Sequence, residues 1–117
     1  MVMSMCDKNQ LNMLLQQVAE HSKKVFGDKL ESVILYGSYA RGDYDDESDI
    51  DIMIMVDLPQ EELSKYRNDI LDFCVDLNLE NSVVIMPKLQ SKPLFERWKL
   101  VLPFYQNVIK EGVSVYG

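Results

Sequence analysis

The chain has 117 residues, 47% hydrophobic and 26% charged, and its 12 basic and 19 acidic side chains leave a net charge of −7. That is enough apolar material for one core, so a single domain over residues 1–117 is expected, small enough that an oligomer or a partner would help to stabilise it. The acidic balance argues against nucleic-acid binding through charge alone, though not against a single nucleotide screened by metal ions, and no apolar run approaches the roughly 20 residues of a membrane span.

Met1–Met5 lacks a basic region followed by an apolar run, so no signal peptide is read there. Cys6 and Cys74 have no metal-ligand spacing, and Cys74 falls in an apolar pattern as a small core residue. The expectation is a reduced, cytoplasmic protein. Leu11, Leu14, Leu15, Val18, Val25 and Phe26 follow helical spacing, which predicts a helix over about 8–26 stopped by Gly27, with His21 on its exposed surface. Ser32–Tyr36 (SVILY) reads as a buried strand and Ile50–Val56 (IDIMIMV) as a second, with a turn or short helix plus loop over 39–48. A helix over about 59–77 begins with Pro59 in its first turn and carries the stripe Leu63, Tyr66, Ile70, Phe73, Cys74, Leu77. Ser82–Met86 (SVVIM) reads as a third strand closed by Pro87. Ser91 then caps a short helix over 92–99, Pro103 opens another to about Lys110, and Val113–Tyr116 is a last short strand. The order α-β-β-α-β-α-α-β predicts an α/β or α+β fold, a small mixed β-sheet flanked by helices.

Chemistry concentrates in residues 33–56, VILYGSYARGDYDDESDIDIMIMV. Asp49 and Asp51 are two apart in a strand, so they share a face, while Ile50, Ile52, Ile54 and Val56 take the other. Two carboxylates held side by side repel, and a divalent cation relieves that repulsion. Mg²⁺ suits such a pair because it takes oxygen ligands and leaves room for substrate phosphates. Gly37 and Ser38 end the preceding strand, where a glycine admits close approach and the following amides and the serine hydroxyl can donate to phosphate oxygens. Arg41 either adds a charged donor to that phosphate or pairs with the acidic loop.

Each feature alone has an ordinary reading. Asp-x-Asp and Gly-Ser both mark many turns. Asp43, Asp45, Asp46 and Glu47 read as a solvated loop, Ser48 as bonding to the local backbone, and Met53, Met55 and Met86 as core filling. What outweighs these readings is the combination: a β-run, Gly-Ser, a ten-residue spacer, Asp-x-Asp and a further β-run.

The segment GSYARGDYDDESDID resembles the signature of the polymerase-beta-like nucleotidyltransferase superfamily, in the form found in its minimal nucleotidyltransferase branch. The flanking strands extend the likeness over roughly residues 30–86, and the ending LPFYQNVIKEGVSVYG is similar to that of small members. The resemblance implies a nucleotidyltransferase fold in which Gly37 and Ser38 contact the triphosphate and Asp49 and Asp51 bind two Mg²⁺ ions. It implies transfer of a nucleoside monophosphate, often AMP from ATP, to a hydroxyl. It also implies an antitoxin role beside a HEPN-domain ribonuclease toxin, either by adenylylating that partner or by binding it. The family usually carries a third carboxylate on the next strand. Here that place falls on Ser82, with Glu80 two residues earlier and on the same face if the strand extends that far.

Overall fold

The computed structural model describes residues 7–117; Met1–Met5 and Cys6 lie outside the described residues. The first helix, α1, covers Lys8–Phe26, as its apolar spacing predicts. Asp7 caps it by accepting from the Gln10 amide at 2.8 Å, and Gly27 closes it at φ 56°. After a 3₁₀ turn at Gly27–Lys29, strand β1 runs Leu30–Tyr36. The four-residue helix α2 (Ser38–Arg41) and an exposed loop lead to β2 (Ile50–Val56).

Two expectations in the middle of the chain give way here. The helix expected over 59–77 is two helices, α3 (Gln60–Leu63) and α4 (Arg67–Asn81), and α4 continues four residues past the expected end. It stops at Ser82, which adopts the left-handed conformation at φ 54°. Strand β3 therefore runs Ile85–Ser91 and passes through Pro87 instead of ending before it. The chain closes with α5 (Lys92–Trp98), α6 (Pro103–Glu111) and β4 (Val113–Tyr116). As expected, Ser91 caps α5 by accepting from the Leu94 amide at 3.3 Å.

The mixed sheet has the order β3-β2-β1-β4, with β1 antiparallel to β2 and β4, and β3 parallel to β2. Pro87 is tolerated because β3 lies at an edge. In the parallel register Ile50 sits opposite Ile85, and the Ile50 amide donates to the Val84 carbonyl at 2.8 Å. By alternation, Ile85, Pro87, Leu89 and Ser91 turn their backbone groups outward. Asn78 occupies the first of these positions: its Oδ1 accepts from the Ile85 amide at 2.7 Å and its Nδ2 donates to the Ile85 carbonyl at 3.3 Å. Pro87 has no N–H, and the Gln60 side chain accepts from the Ser91 amide at 3.2 Å.

One face of the sheet presents Ile50, Ile52, Ile54 and Val56 to α1 and α4, forming the main core with Leu14, Val18, Ile70, Cys74 and Leu77. Burial of side chains of this size stabilises by about 1.5–3 kcal/mol each. Cys74 is a core residue as expected, and burial pushes its thiol up to about 11. His21 departs from its expected exposure: it is half-buried between α1 and α4, stacked on Phe73 with centroids 4.0 Å apart and with Nε2 2.5 Å from Asp69 Oδ1. On the other face Met53 and Met55 join Phe95, Tyr105 and Val108 in a smaller cluster under α5 and α6. Met86 does not fill a core; it is 49% exposed.

Candidate functional site

The site forms where β1 ends and β2 begins. Gly37 follows β1 at φ 77°, a conformation that favours glycine, and opens α2 by accepting from the Ala40 and Arg41 amides at 3.1 and 3.0 Å. The positive φ favours glycine at position 37, and any Cβ there would also push against the Asp51 carboxylate packed on it. Sequence spacing alone puts Gly-Ser and Asp-x-Asp ten residues apart; the antiparallel register of β1 and β2 brings them together, with Asp51 opposite Tyr36. Tyr39 in α2 is buried and stacks on Tyr44 at 4.1 Å, tying the loop to the core.

Asp49 immediately precedes β2 and is exposed, while Asp51 lies within the strand and is half-buried. Burial, and then the neighbouring charge of Asp49, push the Asp51 carboxyl above its ordinary range; Arg41 opposes this. The Asp49 charge therefore adds to the effect of burial on Asp51. The same burial, with the Asp51 charge, raises the Tyr36 phenol to about 12. Tyr36 also meets Phe104 of α6 edge-on, with centroids 5.6 Å apart.

Arg41 pairs with the loop and with α6: its Nε is 3.1 Å from Asp43 Oδ2 and its Nη1 is 3.1 Å from Glu111 Oε2. Asp45, Asp46 and Glu47 are exposed, and the Ser48 hydroxyl accepts from the Asp45 amide at 2.9 Å, the local bond expected of it.

Glu80 is not on a strand. It lies exposed in the last turn of α4, so its expected place on a strand face with Ser82, as a possible third carboxylate, is corrected. The physical reason is the left-handed turn at Ser82, which delays β3 by three residues. The residue of β3 opposite Asp51 is Met86. Among the described residues no group of three or more His, Cys, Asp or Glu side chains is arranged to hold a metal ion.

On the β3 side of Asp51 a cleft of about 410 Å³ extends over the sheet edge toward the start of α4, lined by Tyr36, Gln60, Arg67, Met86 and Lys88 among others. These residues were not legible as neighbours of the site. Tyr36 could have been found from its place before Gly37, but Arg67 and Lys88 depend on the register of β3. A smaller hollow of about 290 Å³ lies away from the aspartates, between Glu31, Lys92 and Gly112.

Residues 11–110 match the model of the nucleotidyltransferase domain family. Two relatives in Methanocaldococcus jannaschii, both provisionally named protein adenylyltransferases, are 38% identical over 94 residues and 34% identical over 82. The first alignment covers 80% of this chain and 86% of the relative, and the second 69% and 80%. A provisionally assigned nucleotidyltransferase of Sulfolobus solfataricus has the same fold, with a TM-score of 0.62 at 21% identity over 91% of this chain and 79% of that one. A toxin–antitoxin structure with AMP-PNP is similar at a TM-score of 0.53 and 20% identity, over 87% of this chain and 73% of that one.

Proposed function

The chain belongs to the nucleotidyltransferase domain family, and from that membership we propose that it transfers AMP from Mg–ATP to a hydroxyl on a partner protein. The observation that carries this reading is the packing of Gly37 against Asp51, which joins a phosphate cradle to a carboxylate pair. In this reading Gly37 and Ser38 hold the triphosphate, and Arg41 exchanges Asp43 and Glu111 for a phosphate oxygen. Asp49 and Asp51 hold Mg²⁺, with two ions expected. The donor set fits: both ligands are hard oxygens, and the Asp51 carboxyl, raised by burial and then by the Asp49 charge, is one whose ionised form a cation favours. The bound metal supplies charge neutralisation on the phosphates and a lower pKa for the attacking hydroxyl. The chain's own part is to align the phosphates and to keep the two carboxylates fixed, since catalysis of this kind rests on positioning and charge. The protein acceptor and the AMP donor are supported by the provisional names of the M. jannaschii relatives.

The test is a titration with Mg²⁺ and ATP followed by backbone amide shifts. Metal-dependent shifts at Gly37–Arg41 and Asp49–Asp51, lost in an Asp49→Ala/Asp51→Ala variant, are expected. No shift at millimolar ATP would overturn the reading.

A second reading is that of a toxin-binding antitoxin module facing a HEPN-domain partner. Two observations favour it. Met86, not a carboxylate, stands opposite Asp51. In addition, the turn between α5 and α6 exposes Leu100 by 81% and Val101 by 62%. Toxin neutralisation that survives the double alanine variant would favour this module, and its loss in the folded variant would favour transfer.

A further inference from the structure

We propose that the cleft on the β3 side of Asp51 receives the acceptor, and that Arg67 and Lys88 select a hydroxyl carried by a polypeptide segment with acidic flanks. The proposal rests on the transfer reading above and names its second substrate. Sheet order carries the first step. β2 lies between β1 and β3, so Gly37 and Ser38, at the end of β1, are on one side of Asp51, and the cleft starts at Tyr36 and Asp51 and extends away from them over β3. A triphosphate seated on the β1 side leaves the β3 side for the incoming hydroxyl. The acceptor oxygen forms a bond to the α-phosphorus while the bond from that phosphorus to the β-phosphate oxygen breaks. Pyrophosphate then leaves, and the hydroxyl proton passes to water.

Charge carries the second step. In a chain of net charge −7, this cleft is lined by two cations, Arg67 and Lys88, and its one acid is Asp51. Arg41, Lys65, Lys92 and Lys99 each have a carboxylate within ion-pair distance, while Lys8, Lys23, Lys24, Lys29, Arg97 and Lys110 have none among the described residues but do not line this cleft. Among the described residues neither Arg67 nor Lys88 has one; Lys88 sits over the Phe104 ring at 5.7 Å. With Asp51 engaged by the cation, the cleft presents positive charge to whatever enters it, and an acidic segment is the complement.

Shape carries the third. The cleft runs from Asp51 past Pro87 and Leu89 to Gln60 and Ser64. By the register of β3, the Leu89 amide and the carbonyls of Pro87 and Leu89 face outward along this path. One donor and two acceptors are too few to template a strand, but they can fix a short extended segment.

The test uses the full chain with Mg–ATP and three synthetic peptides, each with the same central Ser, Thr and Tyr and with acidic, neutral or basic flanks. Peptide binding is read by fluorescence anisotropy and AMP incorporation from labelled ATP. The acidic peptide is expected to bind and to be labelled at least about tenfold better than the basic one, with the difference shrinking as salt rises. Arg67→Glu/Lys88→Glu should reverse that order while leaving the ATP-dependent shifts at Gly37–Arg41 intact. Glutamate in the first turn of α4 suits the helix dipole, so this variant should fold. Equal binding of the three peptides, or none, would overturn the proposal. So would ATP alone shifting Arg67, Leu71 and Lys88, since the cleft would then hold the nucleotide. Loss of ATP shifts at Gly37–Arg41 in the unmodified chain would instead refute the transfer reading, and is scored separately from peptide binding.

Discussion

The two faces of β2 divide one strand between structure and chemistry. On one face Ile50, Ile52, Ile54 and Val56 are all at most 1% exposed, packed under α1 and α4. On the other, Asp51 stands half-open beside Tyr36, while Met53 and Met55 are sealed under α5 and α6. The boundary on that second face falls between Asp51 and Met53, one step along the pleat. A continuous apolar face is what allows the opposite face to carry a carboxylate held at an unfavourable ionisation. The strand is fixed from one side, so the other side is free to be strained.

Substitutions on each face should separate these roles. Ile52→Ala opens a cavity in the main core and should cost about 2–5 kcal/mol in chemical denaturation, enough to leave much of a domain this small unfolded. A loss under about 1 kcal/mol would mean that the core tolerates the gap. Gly37→Ala faces both the positive φ and the contact with Asp51 Oδ2. It should cost about 1–3 kcal/mol and abolish Mg–ATP shifts in the folded fraction.

Asp51→Asn should do the opposite to stability. The folded pKa of Asp51 is raised, so protonation is easier in the folded chain than in the unfolded one. Stability from this group is therefore present below the ordinary carboxylate range and lost as pH rises through the raised folded value. At neutral pH without metal the asparagine variant should melt higher than the parent, with the gap closing in acid and Mg–ATP binding lost. A lower melting temperature at neutral pH would contradict the cost of burying the Asp51 charge beside Asp49. Tyr36 gives the smallest effect. Its folded pKa is about 12, above the ordinary phenol value, so stability should hold up to the ordinary value and decline as pH rises toward 12. Tyr36→Phe should flatten that decline, which a series of alkaline melts would show.

Much of the site was legible because its signals are local. Alternation over IDIMIMV marks a strand with two different faces, and Gly-Ser at the end of SVILY marks a turn against a ligand. The expected bounds of α1 and β2 match the observed ones for the same reason: their apolar periods are long and unambiguous. The region after Val56 was less legible. Ser64–Tyr66 breaks the helix without a proline or glycine, and Ser82 takes a left-handed conformation that serine rarely adopts, so neither announces itself. Pro87 announces an ending that does not occur, because its missing N–H points away from β2. That shift moved Glu80 off the sheet and hid Lys88, which only the register brings to the cleft.

The closed edge of β3 also bears on how the molecule meets copies of itself. Asn78 clamps Ile85, Pro87 offers no hydrogen to share, and Gln60 engages Ser91, so a neighbouring chain finds no ladder to climb. Crowding this protein should therefore not zip it into fibrils along that side, and whatever company it keeps there is held by a few contacts and can be let go again.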